Sequence, residues 1–137
     1  MVRSALAAGT VVVLAVLAGA AALSQSPPYT HEQWEEFQEG IRAFELRAYE
    51  KAVRMWEPLA EAGIPQAQYN LGVIYTNGNG VRRDYVEAYK WFAIALAAGN
   101  IDAAGTLVTI SARMTKDQIA EAERRATEWQ ALHPRAL

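Results

Sequence analysis

After residue 30, apolar side chains recur every three or four positions, which is the spacing of one face of an α-helix. No segment there alternates apolar and polar residues as a half-buried strand would. Capping residues followed three positions later by Gln or Glu mark helix starts, and glycines mark helix ends. The pattern predicts six helices, at 31–45, 48–62, 65–76, 85–98, 101–112 and 116–132.

These helices belong to a repeat of about 36 residues. A shift of 36 places Trp56 on Phe92, and a shift of 32 places Gly40 on Gly72. The four-residue difference is a shorter loop in the first unit. Because one helical pair cannot bury its apolar face alone, successive pairs must stack on each other. The sequence therefore predicts an all-α chain, a short α/α solenoid of about three antiparallel helix pairs.

The middle unit carries a specific motif. It reads Ala67-Gln-Tyr-Asn-Leu-Gly-Val-Ile-Tyr-Thr-Asn-Gly-Asn-Gly-Val81 and continues to Gly99. This stretch resembles a Sel-1-like repeat, and the helix after Met114 is similar to the terminal helix of bacterial members. The flanking units match less well, since the first lacks the Asn-Gly-Asn-Gly loop and the third also lacks the aromatic pair. The motif residues are Ala67, Leu71, Gly72, Tyr75, Gly78, Gly80, Asp84, Ala88, Trp91, Ala95 and Gly99.

The resemblance implies a right-handed solenoid related to the tetratricopeptide repeats, in a family whose members usually act as adaptors between proteins. The motif residues also have physical roles of their own. Gly72 allows two helices to approach closely, and Gly78 and Gly80 suit the positive φ of a turn. Asp84 caps the next helix, and Trp91 fills the space between pairs.

The first 24 residues have the pattern of a secretory signal peptide. Arg3 is the only charge before Glu32, and an apolar run from Ala5 to Leu23 ends in small residues suited to cleavage. The run is also long enough to span a bilayer, so an uncleaved anchor fits as well. We expect a signal peptide or anchor at 1–24, a linker at 25–30 and a helical domain at 31–137. The chain should be exported, to the periplasm or beyond, or be held on the inner membrane by its N-terminal segment.

Composition excludes several kinds of chemistry. The chain has 13 Lys and Arg against 15 Asp and Glu, for a net charge of −2, so it lacks the basic face that nucleic acids require. It has no cysteine, which excludes disulfides and thiolate metal sites. The sequence predicts no cofactor and no metal, and it offers no recognisable catalytic constellation.

Two functions fit these observations. The favoured one is a non-enzymatic protein–protein interaction module, an adaptor or scaffold of the cell envelope. Its partner would be another protein or a peptide, and a membrane would be involved only through an uncleaved N-terminal segment. The alternative is a small cell-envelope hydrolase that uses the carboxylates of Glu35, Glu36 and Glu39 for acid–base work. A solvated acidic face near a helix N-terminus explains the same cluster.

The expected binding face is the side of the solenoid formed by the first helix of each pair. Each residue of a helix is rotated about 100° from the one before it, so the residues of this face form a stripe apart from the core stripe. The stripe also includes Glu45. Its polar members would hold a peptide backbone, while Trp34, Ile41 and Val73 would serve as apolar anchors. Some of these residues could instead contact the neighbouring helix pair. The predicted face comprises Trp34, Gln38, Ile41, Gln66, Asn70, Val73, Asn77, Asp102, Thr106, Thr109 and Arg113.

Overall fold

The computed structural model describes residues 29–134; the predicted signal peptide and most of the predicted linker lie outside them. In this range the chain forms six α-helices and no strand, which confirms the all-α solenoid class. Each helix begins and ends within one residue of its predicted bounds. The helices are α1 His31–Glu45, α2 Tyr49–Glu61, α3 Pro65–Asn77, α4 Tyr85–Ala97, α5 Asp102–Ser111 and α6 Lys116–Leu132.

The helix starts follow local chemistry. Helix α6 begins at a complete capping box, in which Thr115 Oγ1 accepts the Gln118 backbone N–H at 3.2 Å. In return, the Gln118 side chain accepts the Thr115 backbone N–H at 2.9 Å. Helix α4 begins at Asp84, whose Oδ1 accepts the Glu87 N–H at 3.0 Å. Helix α3 starts with Pro65, which has no N–H to leave unsatisfied.

The loop between α3 and α4 needs glycine for two reasons. Gly78 ends α3 with a φ of +70°, and Gly80 has a φ of +72°. Gly80 also lies against the start of α2, where an added Cβ would come within 2.8 Å of the Glu50 backbone nitrogen. A side chain at Gly80 would therefore strain the turn and push the middle unit away from the first.

The first two helix pairs are closed by the same contact. The α4 ring of Phe92 lies on Gly72 of α3, so close that a Cβ there would be 2.6 Å from the ring. In the first pair the indole of Trp56 on α2 lies on Gly40 of α1 in the same way. Each glycine removes a side chain where an aromatic ring enters, and the two helices approach closely around it.

A fully buried polar side chain connects the first two units. Gln68 of α3 is completely buried, and its Nε2 donates to the Ala60 carbonyl of α2 at 3.1 Å. Leu59 of α2 and Leu71 and Ile74 of α3 are also buried. The second helix of one unit therefore packs on the first helix of the next, as stacking of repeats requires.

The third unit departs from the predicted antiparallel pair. Helices α5 and α6 both pack on α4, and they make little contact with each other. The repeat shift of 36 explains this difference. It places Val108 where the middle unit has Gly72, and Glu128 where it has Phe92. Because the glycine and the ring are missing, α6 does not pack against α5. Val108 of α5 is accordingly 72% exposed.

None of the helices that the structure describes has the length and apolar character needed to span a membrane.

Candidate partner-binding groove

A cavity of about 530 Å³ opens along the first helices of the three units. We call it the groove. Its lining comes from α1, α2, α3, the loop before α5 and the first residue of α5. The lining residues are Phe37, Ile41, Phe44, Glu45, Trp56, Gln66, Tyr69, Asn70, Val73, Asn100 and Asp102.

The floor of the groove at the first unit is aromatic. Trp56 is buried between Phe37 and Phe44, with ring centroids 6.1 Å and 5.9 Å away. The indole Nε1 of Trp56 donates to the Phe37 carbonyl at 3.2 Å. Because its one polar atom is already bonded, Trp56 presents only apolar surface to an occupant.

Helix α3 supplies the other wall and connects it to α5. Tyr69 packs edge-on against Phe92, with centroids 5.3 Å apart at 62°. Its hydroxyl lies 3.3 Å from Thr106 Oγ1 of α5. Tyr69 is therefore held at both its ring and its hydroxyl, and Val73 beside it packs against the same core as Phe92. These contacts position Tyr69 and Val73 in the wall of the groove.

The rim of the groove is polar and carries only negative charge. Gln66 and Asn70 offer amide groups, and Glu45 and Asp102 offer exposed carboxylates. Neither carboxylate forms an ion pair with any residue in 29–134, and no Lys, Arg or His lines the groove. The Oδ1 atom of Asn100 is buried and has no hydrogen-bond partner among the described residues.

The structure brings part of the predicted face together. Five of its residues line the groove: Ile41, Gln66, Asn70, Val73 and Asp102. Six others do not line it: Trp34, Gln38, Asn77, Thr106, Thr109 and Arg113.

Three of the residues outside the lining have identifiable neighbours. Trp34 is 38% exposed and stacks on Phe37, so it extends the aromatic floor from outside. Thr106 supports Tyr69 from behind. The guanidinium of Arg113 holds the pKa of the Tyr85 hydroxyl below its ordinary value. Arg113 is therefore turned toward the first residue of α4.

The floor itself was not part of the predicted face. Helical periodicity places Phe37, Phe44, Trp56 and Tyr69 in the core, where three of the four make ring contacts with Trp56 or Phe92. Periodicity cannot distinguish a core ring from one with an edge open to a cavity. The available signal was the spacing of Phe37, Ile41 and Phe44, which forms an apolar stripe beside the polar one.

The acidic residues of α1 that could serve a hydrolase lie elsewhere. Glu39 binds Lys51 and Arg42, and these contacts lower the pKa of its carboxyl. A general acid needs the opposite shift. Glu35 lies 3.2 Å from His31, and neither it nor Glu36 lines the groove. Between residues 29 and 134, no three His, Asp or Glu side chains are grouped as a metal site requires.

Stacked helical hairpins with an open groove along their first helices define an α/α-solenoid repeat protein. Residues 65–100 match the family model of the Sel1 repeat. The middle unit is therefore a Sel1 repeat, as its motif predicted.

Two known proteins are similar to it. The chitin synthase regulator SKT5 of Saccharomyces cerevisiae is 34% identical over 80 residues, which cover 58% of this chain and 9% of SKT5. A protective antigen of uropathogenic Escherichia coli strains, whose crystal structure displays an SLR fold, is 26% identical with a TM-score of 0.70. That match covers 76% of this chain and 24% of the antigen. The chain thus spans only a small part of either protein. The Sel1 repeat and the SLR fold support a role in protein–protein interaction.

Proposed function

We propose that this chain is a non-enzymatic adaptor of the cell envelope that binds a segment of another protein in the groove. The observation that carries the proposal is the groove itself, with an aromatic floor and an amide-bearing rim on rigid helices. A surface of this kind suits a protein segment better than a small metabolite, because it is open along the solenoid rather than closed around a ligand.

Two kinds of lining residue would contact different parts of the partner. Phe37, Phe44 and Trp56 can receive an apolar side chain of the partner, and burying such an anchor supplies most of the affinity at many interfaces. Gln66 and Asn70 can hydrogen bond to the partner's backbone, which fixes its register. Both groups come from helices, so the partner meets a preformed surface and little ordering free energy is spent.

The envelope location is supported by the pattern of residues 1–24, whose basic start and apolar run are typical of an export signal. One of the two similar proteins is a regulator of chitin synthase, which fits a module that works through another protein.

The hydrolase alternative has less support. Its central carboxylate, Glu39, is held ionised by Lys51 and Arg42. The acidic side chains also face away from the groove, which is where a substrate could be enclosed.

Site-specific cross-linking tests the binding role. A photo-reactive amino acid at Gln66, which is exposed in the groove, should capture a defined protein in intact cells. The same group at Glu57, which is exposed outside the groove, serves as the control. Equal capture at both positions, or none at Gln66, would contradict binding in the groove.

Cell fractionation tests the location separately. The chain should be found beyond the inner membrane, shortened by about 22–24 residues. A full-length product in the membrane fraction would support the anchor instead, and a cytoplasmic product would overturn the envelope role.

A further inference from the structure

We infer that the groove selects partner segments in which an aromatic or large aliphatic side chain is flanked by Lys or Arg. The inference rests on the proposed function, because it specifies the partner of the same groove. The observation behind the inference is that the floor of the groove is apolar, whereas its rim carries carboxylates that have no ion-pair partner among the described residues.

The charge at the rim is distributed along the groove. Glu45 belongs to α1 and Asp102 to α5, so each outer unit contributes one carboxylate. Some other acidic side chains are paired with a cation, such as Glu39 with Arg42 and Glu121 with Arg124. Neither rim carboxylate has an ionic partner between residues 29 and 134. A cation on the partner would meet two accessible anions.

Local helix stability does not account for Glu45. It is the last residue of α1, where the helix dipole disfavours a carboxylate and favours a base. The base in that turn, Arg42, bonds to Glu39 rather than to Glu45. Asp102 differs, because a carboxylate in the first turn of α5 is favoured by the dipole. Glu45 destabilises the end of its own helix and lies at the edge of the groove. This combination indicates that Glu45 serves binding in the groove.

The polar atoms of the lining favour the same kind of ligand. The Trp56 Nε1 donor is already bonded inside the protein and is not available to an occupant. The amides of Gln66 and Asn70 each offer donor and acceptor groups, so the carboxylates of Glu45 and Asp102 leave the groove with acceptors in excess. Such a lining selects donor-rich groups, of which ammonium and guanidinium are the strongest.

A displayed library of random twelve-residue peptides, selected on the full chain as cells produce it, tests the inference. Enriched peptides should carry an aromatic or aliphatic residue with Lys or Arg nearby. For the best peptide, Glu45→Gln with Asp102→Asn should weaken binding about three- to tenfold at low salt, and less at high salt. The charge reversals Glu45→Lys and Asp102→Lys should instead enrich peptides that contain Asp or Glu.

Two matched variants control for charge alone. Glu36→Gln removes an exposed carboxylate from the same helix as Glu45, and Asp117→Asn removes one from a first turn, as at Asp102. Neither residue lines the groove, and both variants should bind the selected peptide as the wild type does.

A third pair of variants separates this inference from the proposed function. Asn70→Trp fills the groove, whereas Asn77→Trp places the same bulk on the same helix outside it. Neutral or acidic peptides that are displaced only by Asn70→Trp would overturn the charge preference and leave the groove as the binding site. Peptides unaffected by Asn70→Trp, in a chain whose thermal melt is unchanged, would overturn both. Enrichment of basic, apolar peptides that only Asn70→Trp abolishes would support both.

Discussion

The middle and third units occupy successive places in the repeat but pack differently. In the middle unit, Phe92 of α4 enters the space left by Gly72 of α3, and the two helices form a closed hairpin. In the third unit the same positions hold Glu128 and Val108, and α6 packs on α4 instead of on α5. The comparison shows that closure of a pair depends on this glycine and ring more than on the presence of two amphipathic helices.

Helix α6 shows what an unclosed helix does with its apolar face. Trp129 packs edge-on against Trp91 of α4, with ring centroids 5.9 Å apart. Its Nε1 donates to Glu61 of α2 at 2.9 Å, so α6 reaches back to the first unit. Arg125 of α6 also pairs with Glu87 of α4, at 3.5 Å. These contacts cover the outer side of the middle unit and leave the groove open on the other side.

Removing the Phe92 ring should give the largest difference in stability between changes in the middle unit and matched changes in the third unit. Phe92→Ala should lower the free energy of unfolding by about 3–5 kcal/mol, because Phe92 is fully buried and a cavity remains. Glu128→Ala, at the matching position of the third unit, should leave stability nearly unchanged. Urea denaturation measures both. Equal losses would show that the two positions have equivalent roles after all.

Filling the glycine position should have the next largest effect. Gly72→Leu should cost about 1–3 kcal/mol or more, since even a Cβ there lies 2.6 Å from the Phe92 ring. Val108→Leu enlarges an exposed side chain at the matching position and should be close to neutral. Thermal melts of both variants check this. Tolerance of Leu at residue 72 would mean that the closed hairpin does not need the glycine.

The first unit offers a smaller, stabilising change. Arg47, two residues after the end of α1, has a φ of +60°, a conformation that the middle unit gives to glycine at Gly78. Arg47→Gly should raise the free energy of unfolding by about 0.5–1 kcal/mol, since glycine adopts a positive φ without the Cβ penalty. Gly78→Arg should do the reverse. A loss of stability in Arg47→Gly, measured by urea denaturation, would show that the arginine side chain contributes more than the backbone strain costs.

The smallest expected effect concerns pH and the ion pairs of α6. Arg124 and Arg125 lower the pKa of Glu121 from 4.5 to about 2. Because this pKa is lower in the folded state, the contribution of Glu121 is present above pH 4.5 and is lost as pH falls toward 2. Glu121→Gln should therefore flatten this part of the stability curve at low salt, and added salt should reduce the difference. Glu36→Gln is the control, and equal slopes in all three proteins would contradict the prediction.

The sequence by itself determined the helices and their order. Its signals are local, because a cap such as Thr115, a positive-φ glycine such as Gly78 and an apolar spacing of three to four act within one or two turns. The repeat in the sequence also predicted that the helix pairs stack, because equivalent residues such as Trp56 and Phe92 occupy equivalent positions in successive pairs. Periodicity also placed Ile41, Asn70 and Asp102 on one face of the first helices, and all three line the groove.

The tertiary structure decided what lies between the helices. Only packing could show that Phe37, Phe44 and Trp56 have edges open to a groove, because a core ring and a floor ring have the same helical spacing. Only packing could turn Arg113 toward Tyr85 and place Thr106 behind Tyr69. The partner of α6 was likewise undetermined by its own sequence. An amphipathic helix specifies that its apolar face will be buried, and the shape of the neighbouring surface specifies where.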